Sequence, residues 1–148
     1  MTRHAARFAL LTAALMLCAA QNSALIGAAR DVQKLELVMR ARPNIAFSPA
    51  RVAASAELKG EPAPDQLANL HCPLVEWDWG DGTRSESESD CEPYEQGKSE
   101  LRRRFTAQHT FSFPGTFRVQ IRLKRNDRVL MSDTVNVQVR PGARDFGY

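Results

Sequence analysis

Val75-Glu76-Trp77-Asp78-Trp79-Gly80-Asp81-Gly82-Thr83 decides how this chain is read. Valine and two tryptophans at alternate positions put three large apolar groups on one face of an extended segment. The segment then stops in Gly-Asp-Gly, where two glycines flank a side chain suited to bonding its own backbone, a tight-turn composition. The residues alone predict a half-buried strand ending in a sharp reversal.

A second stretch lies downstream: His109-Thr110-Phe111-Ser112-Phe113-Pro114-Gly115-Thr116-Phe117-Arg118-Val119. Together the two resemble the paired signatures of PKD domains, Trp-Asp-Phe-Gly-Asp-Gly-Thr and His-Thr-Tyr…Pro-Gly-Thr-Tyr-x-Val, in the order that family has them. The resemblance implies an immunoglobulin-like β-sandwich. It also implies structural rather than catalytic roles for Trp77, Asp78, Trp79, Gly80, Asp81, Gly82 and Thr83, and for His109, Thr110, Phe111, Pro114, Gly115, Thr116 and Phe117. At Phe111 and Phe117 the chain departs from the family, where tyrosine is usual. Any tyrosine-corner hydrogen bond at that turn is therefore lost or replaced.

The rest of the chain agrees without help from the family. Leu35, Leu37 and Met39 alternate with polar neighbours, and Ile45-Ala46-Phe47 follows the break at Arg42-Pro43-Asn44. Val52, Ala54, Ala56 and Leu58 form a strand face of small residues, and Leu101, Phe105, Ala107, His109 and Phe111 another. Phe117, Val119, Ile121 and Leu123 alternate cleanly, and beyond a hairpin at Asn126-Asp127 so do Val129, Met131, Val135, Val137 and Val139. Residues 59–70, with Gly60, Pro62 and Pro64, read as a connection. Residues 84–97 read as a polar surface loop, longer than its counterpart in most PKD domains. About seven short strands with no helical periodicity predict an all-β, antiparallel, immunoglobulin-like sandwich. Its expected limits are residues 43–140, after a lead-in with a possible edge strand over 21–42 and before a tail over 141–148.

The chain has 148 residues, 43% hydrophobic and 25% charged, with a formal net charge of +3. That is ordinary composition for one globular domain and too weakly basic to argue for nucleic acid. Residues 1–20 read as a signal peptide: Arg3, His4 and Arg7, an apolar run from Phe8 to Leu17, then Cys18-Ala19-Ala20. The run is short for a membrane span, and Leu17 before Cys18 disfavours a lipoprotein. The chain is thus expected to be exported to the periplasm, the cell surface or the medium, with no membrane span after cleavage. Cleavage leaves Cys72 and Cys91 as an even pair, and export makes a disulfide the expectation. It would close a loop of about 19 residues, worth roughly 3 kcal/mol. Zinc is disfavoured, with only His71 nearby.

Asp78 and Asp81 are the candidate carboxylates. Acid–base catalysis would need a partner nucleophile or base, and none of the familiar motifs is present. Turn chemistry is the better account of both, with calcium as the alternative because hard oxygen ligands suit it. His109 belongs to the family's structural pattern. Trp77 and Trp79 alternate with acids and so read as core, not as a sugar-stacking platform. Arg102, Arg103 and Arg104 read as solvated residues pairing with nearby glutamates. The expectation is a non-catalytic cell-envelope or secreted binding module without cofactor, meeting protein or polysaccharide through its loops, above all the insertion from Arg84 to Ser99. A calcium-binding module or spacer, and behind it a small metal-dependent hydrolase, are the alternatives.

Overall fold

The computed structural model describes residues 34–146, and the expected signal peptide lies outside the described residues. Eight strands form two sheets: β1 (Glu36–Arg42), β2 (Ile45–Phe47), β3 (Ala50–Lys59), β4 (Leu74–Asp78), β5 (Arg84–Ser87), β6 (Arg104–Phe111), β7 (Gly115–Arg125) and β8 (Arg128–Arg140). One sheet has the order β1-β3-β6, the other β2-β8-β7-β4-β5. All pairs are antiparallel except β2 with β8. This is the expected immunoglobulin-like sandwich, with one strand parallel at an edge.

The core is the meeting of the two inner faces. Val52, Ala54, Ala56 and Leu58 of β3 pack with Val119, Ile121 and Leu123 of β7, and Val75, Trp77 and Trp79 fill the space beside them. The alanines on β3 leave room for large groups within the shared core, since an interior at crystal-like density accommodates a large group only where its neighbour is small. Asn126 and Asp127 both adopt positive φ, 48° and 62°. That matches the two-residue hairpin turn whose twist suits the flanking strands.

Four boundaries differ from expectation. β1 falls within the stretch read as a lead-in, yet Leu37, Met39 and Ala41 are buried and paired along β3, so the sandwich begins before residue 43. The connection over 59–70 contains a helix, α1 (Pro64–Leu70). Its proline occupies the first helical turn, where a missing N–H costs nothing, and Gln66 Oε1 accepts the Ala63 N–H at 3.1 Å. The polar tract after Thr83 starts with β5, an edge strand that needs no apolar face of its own: Ser85 and Ser87 sit opposite Trp77 and Val75. The tail includes a 3-10 turn, Ala143–Phe146, tied back where Asp145 accepts bonds from the Ser48 hydroxyl and, at 2.6 Å, the Gly142 N–H.

Candidate functional site

The turn after β4 gathers the polar residues that the sequence singled out. Trp77 and Trp79 are 2% and 0% exposed. Their rings lie nearly parallel with centroids 6.0 Å apart, and the Trp79 indole N–H donates to Ser85 Oγ at 2.9 Å. Neither indole is available to a ligand. Past Trp79 the chain reverses through Gly80 and Gly82, both at positive φ (77° and 89°). At Gly80 the requirement is double, because a Cβ there would stand 2.7 Å from the Arg118 carbonyl oxygen. Only glycine lets the turn lie this close to β7.

The carboxylates are engaged by the turn itself and by the strands beside it. Asp78 Oδ1 accepts the Gly80 N–H at 3.1 Å, and its Oδ2 faces Arg84 at 3.3 Å and Arg122 at 3.7 Å. Asp81 Oδ1 accepts both the backbone N–H and the hydroxyl of Thr83, at 3.0 and 2.6 Å. Its Oδ2 meets His109 Nε2 at 2.6 Å. The backbone closes the reversal as Trp79 N–H donates to the Thr83 carbonyl at 3.1 Å. His109 stacks on Trp79 with ring centroids 4.7 Å apart, and meets Phe111 edge-on at 4.8 Å. The two motifs are thus one structure: the aspartate of the first orients the imidazole of the second, and the indole supports it from below.

Phe111 and Phe117 stack with ring centroids 4.4 Å apart. This ring-on-ring contact gains the extra stabilisation of paired aromatics. Gly115 permits this, since a Cβ there would lie 3.0 Å from the Phe117 ring. Pro114 and Thr116 are exposed beside it, and Thr110 points outward from β6.

Two carboxyl groups on β4 and the turn that follows it titrate unusually. For Asp81, burial pushes the pKa up, but the bonds from the Thr83 hydroxyl, His109 and the Thr83 N–H together hold it below 3.8. For Glu76, the Arg122 guanidinium does most to lower it, with Lys124 adding to the effect against burial. Glu76 is 5% exposed on the outer face of β4, and Lys124 Nζ lies 3.1 Å from its Oε2. Sequence reading did not single it out; only the register of β4 with β7, which sets Glu76 opposite Arg122, makes the pair visible.

A carboxylate with a lowered native pKa contributes stability above its unfolded value, and that contribution is lost as pH falls through the native one. Asp81→Asn is therefore expected to cost stability at neutral pH, with the gap to the parent chain closing below about pH 3.8. Urea midpoints measured across that range check this, and parallel curves would refute an ionised Asp81 as the group responsible.

Cys72 and Cys91 form a disulfide with Cα atoms 6.3 Å apart. It ties the segment 88–103 to the end of α1, where His71 Nε2 meets the Glu92 carbonyl at 3.0 Å and packs on Tyr94. Within the segment, Lys98 pairs with Glu95 at 2.6 Å and the Ser99 hydroxyl accepts the Glu95 N–H. Arg102 lies over the Phe105 ring, Arg103 bonds Glu61 and the Gly60 carbonyl, and Arg104 faces Glu57 at 3.7 Å. Those three arginines thus serve different neighbours instead of forming one patch.

A cleft of about 500 Å³ lies elsewhere, between α1 and the β7–β8 hairpin, floored by Leu70 and Met131 with Arg125 and Arg128 at its rim. It contains no nucleophile beside a base. Among the described residues no three His, Cys, Asp or Glu side chains converge as a metal set, and no helix is long and apolar enough to cross a membrane.

Among the solved structures that resemble this chain are two single domains. One is the PKD domain of an M14-like peptidase from Thermoplasmatales archaeon SCGC AB-540-F20, at 14% identity and a TM-score of 0.44, covering 70% of this chain and 92% of that one. The other is the CARDB domain of the PF1109 protein from Pyrococcus furiosus, solved with di-metal ions, at 15% identity and a TM-score of 0.45, covering 72% of this chain and 88% of that one. No protein-family model and no curated protein matches it.

Proposed function

We propose that this protein is an exported, non-catalytic interaction module, meeting a protein or polysaccharide of the cell envelope through the disulfide-held segment 88–103. One observation carries the reading. Asp78 and Asp81, the carboxylates with the right chemistry for catalysis or metal binding, are engaged by their own turn and by Arg84, Arg122 and His109, while the longest irregular segment among the described residues is fastened to the fold by a covalent bond. Fixing a loop before binding reduces the ordering cost that binding must meet. A hydrolase would require the reverse, free carboxylates beside a concave site.

The test has two arms. Retention of separated protein and glycan fractions of the cell envelope is compared between the parent chain and one whose residues 92–100 are replaced by a Gly/Ser linker. Loss of retention in the linker variant supports the reading, and equal retention overturns the role of the segment. Calorimetric unfolding with calcium and then EDTA is expected to show no shift in Tm. A calcium-dependent rise would mean a native-state site and would favour the calcium-binding alternative.

A further inference from the structure

The three-stranded sheet turns its outer face to solvent, and the register assembles there what the linear sequence scatters. Arg40 and Arg42 project from β1, Arg51 and Lys59 from β3, and Arg104 from β6, against the carboxylates Glu36 and Glu57. Arg40 lies opposite Ser55, which lies opposite Thr106; Arg42, Ala53 and Gln108 form the next row. The middle of the sheet is consequently low, floored by small side chains and walled by long cationic ones. This trough encloses about 360 Å³, lined among others by Arg40, Arg42, Lys59 and Arg104, with Ser55 and Thr106 at its base.

The cations are differently engaged. Arg104 pairs with Glu57 at 3.7 Å, and Arg51 donates to the Gln108 side-chain carbonyl. Among the described residues no carboxylate lies within ion-pair distance of Arg40, Arg42 or Lys59. Two residues apart on one strand, Arg40 and Arg42 stand roughly 7 Å from one another, in line along the trough. Guanidinium groups bind carboxylates through paired, charge-assisted bonds.

We infer that this face docks an anionic polysaccharide, a sugar chain bearing carboxylates, and that it is a second binding surface independent of the segment 88–103. Charge complementarity selects an anionic partner. The kind of anion follows from what else lines the trough. A protein interface is anchored by buried aromatic or large aliphatic groups, and here Val38 is the one large apolar side chain, half-buried at the margin. Single-stranded nucleic acid is held by stacking on aromatic rings, and the outward positions of β1, β3 and β6 carry none. Ser55 and Thr106 instead place neutral hydroxyl groups between the cations, which suits a ligand alternating carboxylates with hydroxyls.

The experiment measures binding of the full chain to polygalacturonate, dextran, poly-glutamate and double-stranded DNA by affinity electrophoresis and calorimetry. Polygalacturonate is expected to bind, more weakly as salt rises from about 50 to about 200 mM, and dextran is not. Arg40→Glu/Arg42→Glu is expected to weaken binding by roughly tenfold or more, because two charge-assisted contacts are replaced by repulsion. Arg128→Glu/Arg140→Glu changes net charge equally at exposed sites outside the trough and is expected to bind like the parent. If the first variant does not fold, Arg40→Gln/Arg42→Gln gives the same comparison without repulsion. Failure to bind polygalacturonate, equal weakening in both variants, or binding of poly-glutamate or DNA as tight as that of the polysaccharide would each overturn the proposal. None of these results bears on the segment 88–103, whose replacement leaves the trough intact.

Discussion

Trp79→Ala is expected to destabilise the fold by about 3–5 kcal/mol, the range found when a buried aromatic is cut back to a methyl group. That is a large share of the ~5–15 kcal/mol by which a domain of this size is stable, so the variant should be partly unfolded or recovered in low yield. Three losses combine. The indole is fully buried, so its removal leaves a void between the sheets. Ser85 Oγ loses its donor. His109 loses the surface on which it stacks, which loosens the imidazole that meets Asp81. Trp79→Phe separates these contributions: it keeps an aromatic ring under His109 and gives up the N–H with part of the volume. Urea unfolding should place it between the parent and the alanine variant. A cost below about 1 kcal/mol for Trp79→Ala would mean that the site collapses without a cavity, and that the turn does not depend on this indole.

The arrangement around Trp79 also explains how far the sequence could be read. Where a residue's role follows from alternation, the reading transfers directly, because period two fixes which face a side chain takes. Val52 to Leu58, Val119 to Leu123 and the tryptophan strand are of this kind and lie in the core, with Phe117 packed against it. Elements without an apolar face escape such reading. β5 is stabilised by what lies across from it, not by its own composition, and Ser85 looks like a loop residue until Trp79 donates to it. α1 was hidden by Pro64, which breaks a helix interior but suits its first turn. β1 was legible as a strand, but its membership of the core depended on pairing with β3, a partner no local pattern names. The same limit governs function. Asp78 and Asp81 could be picked out as carboxylates, while the partners that occupy them sit on β5, β6 and β7. The basic trough is less legible still, since Arg40, Arg42 and Arg104 come together only through a register across three strands.

Removal of the disulfide by Cys72→Ala/Cys91→Ala is expected to lower stability by roughly 3 kcal/mol, the chain-entropy value for a loop of this length. The bond spans 19 residues that include β4, the Gly80–Gly82 reversal and β5. In the unfolded chain it therefore restricts the strand and turn on which the rest is assembled. In the folded chain it should matter mainly for the segment beyond β5. There the remaining restraints are the His71 contacts with the Glu92 carbonyl and Tyr94, the anchoring of Arg102 and Arg103 at the far end, and a few contacts internal to the segment. The two effects call for two measurements. Denaturant unfolding of the variant should show a lower midpoint, and limited proteolysis should cut first between residues 88 and 103 while the sandwich stays intact. Intact mass of the parent before and after reduction, differing by two hydrogens, confirms that the bond was present at the start. A variant as stable as the parent but newly cleaved in the segment would assign the disulfide to holding the binding loop alone. An unchanged cleavage pattern would remove the argument that this segment is kept in shape for a partner.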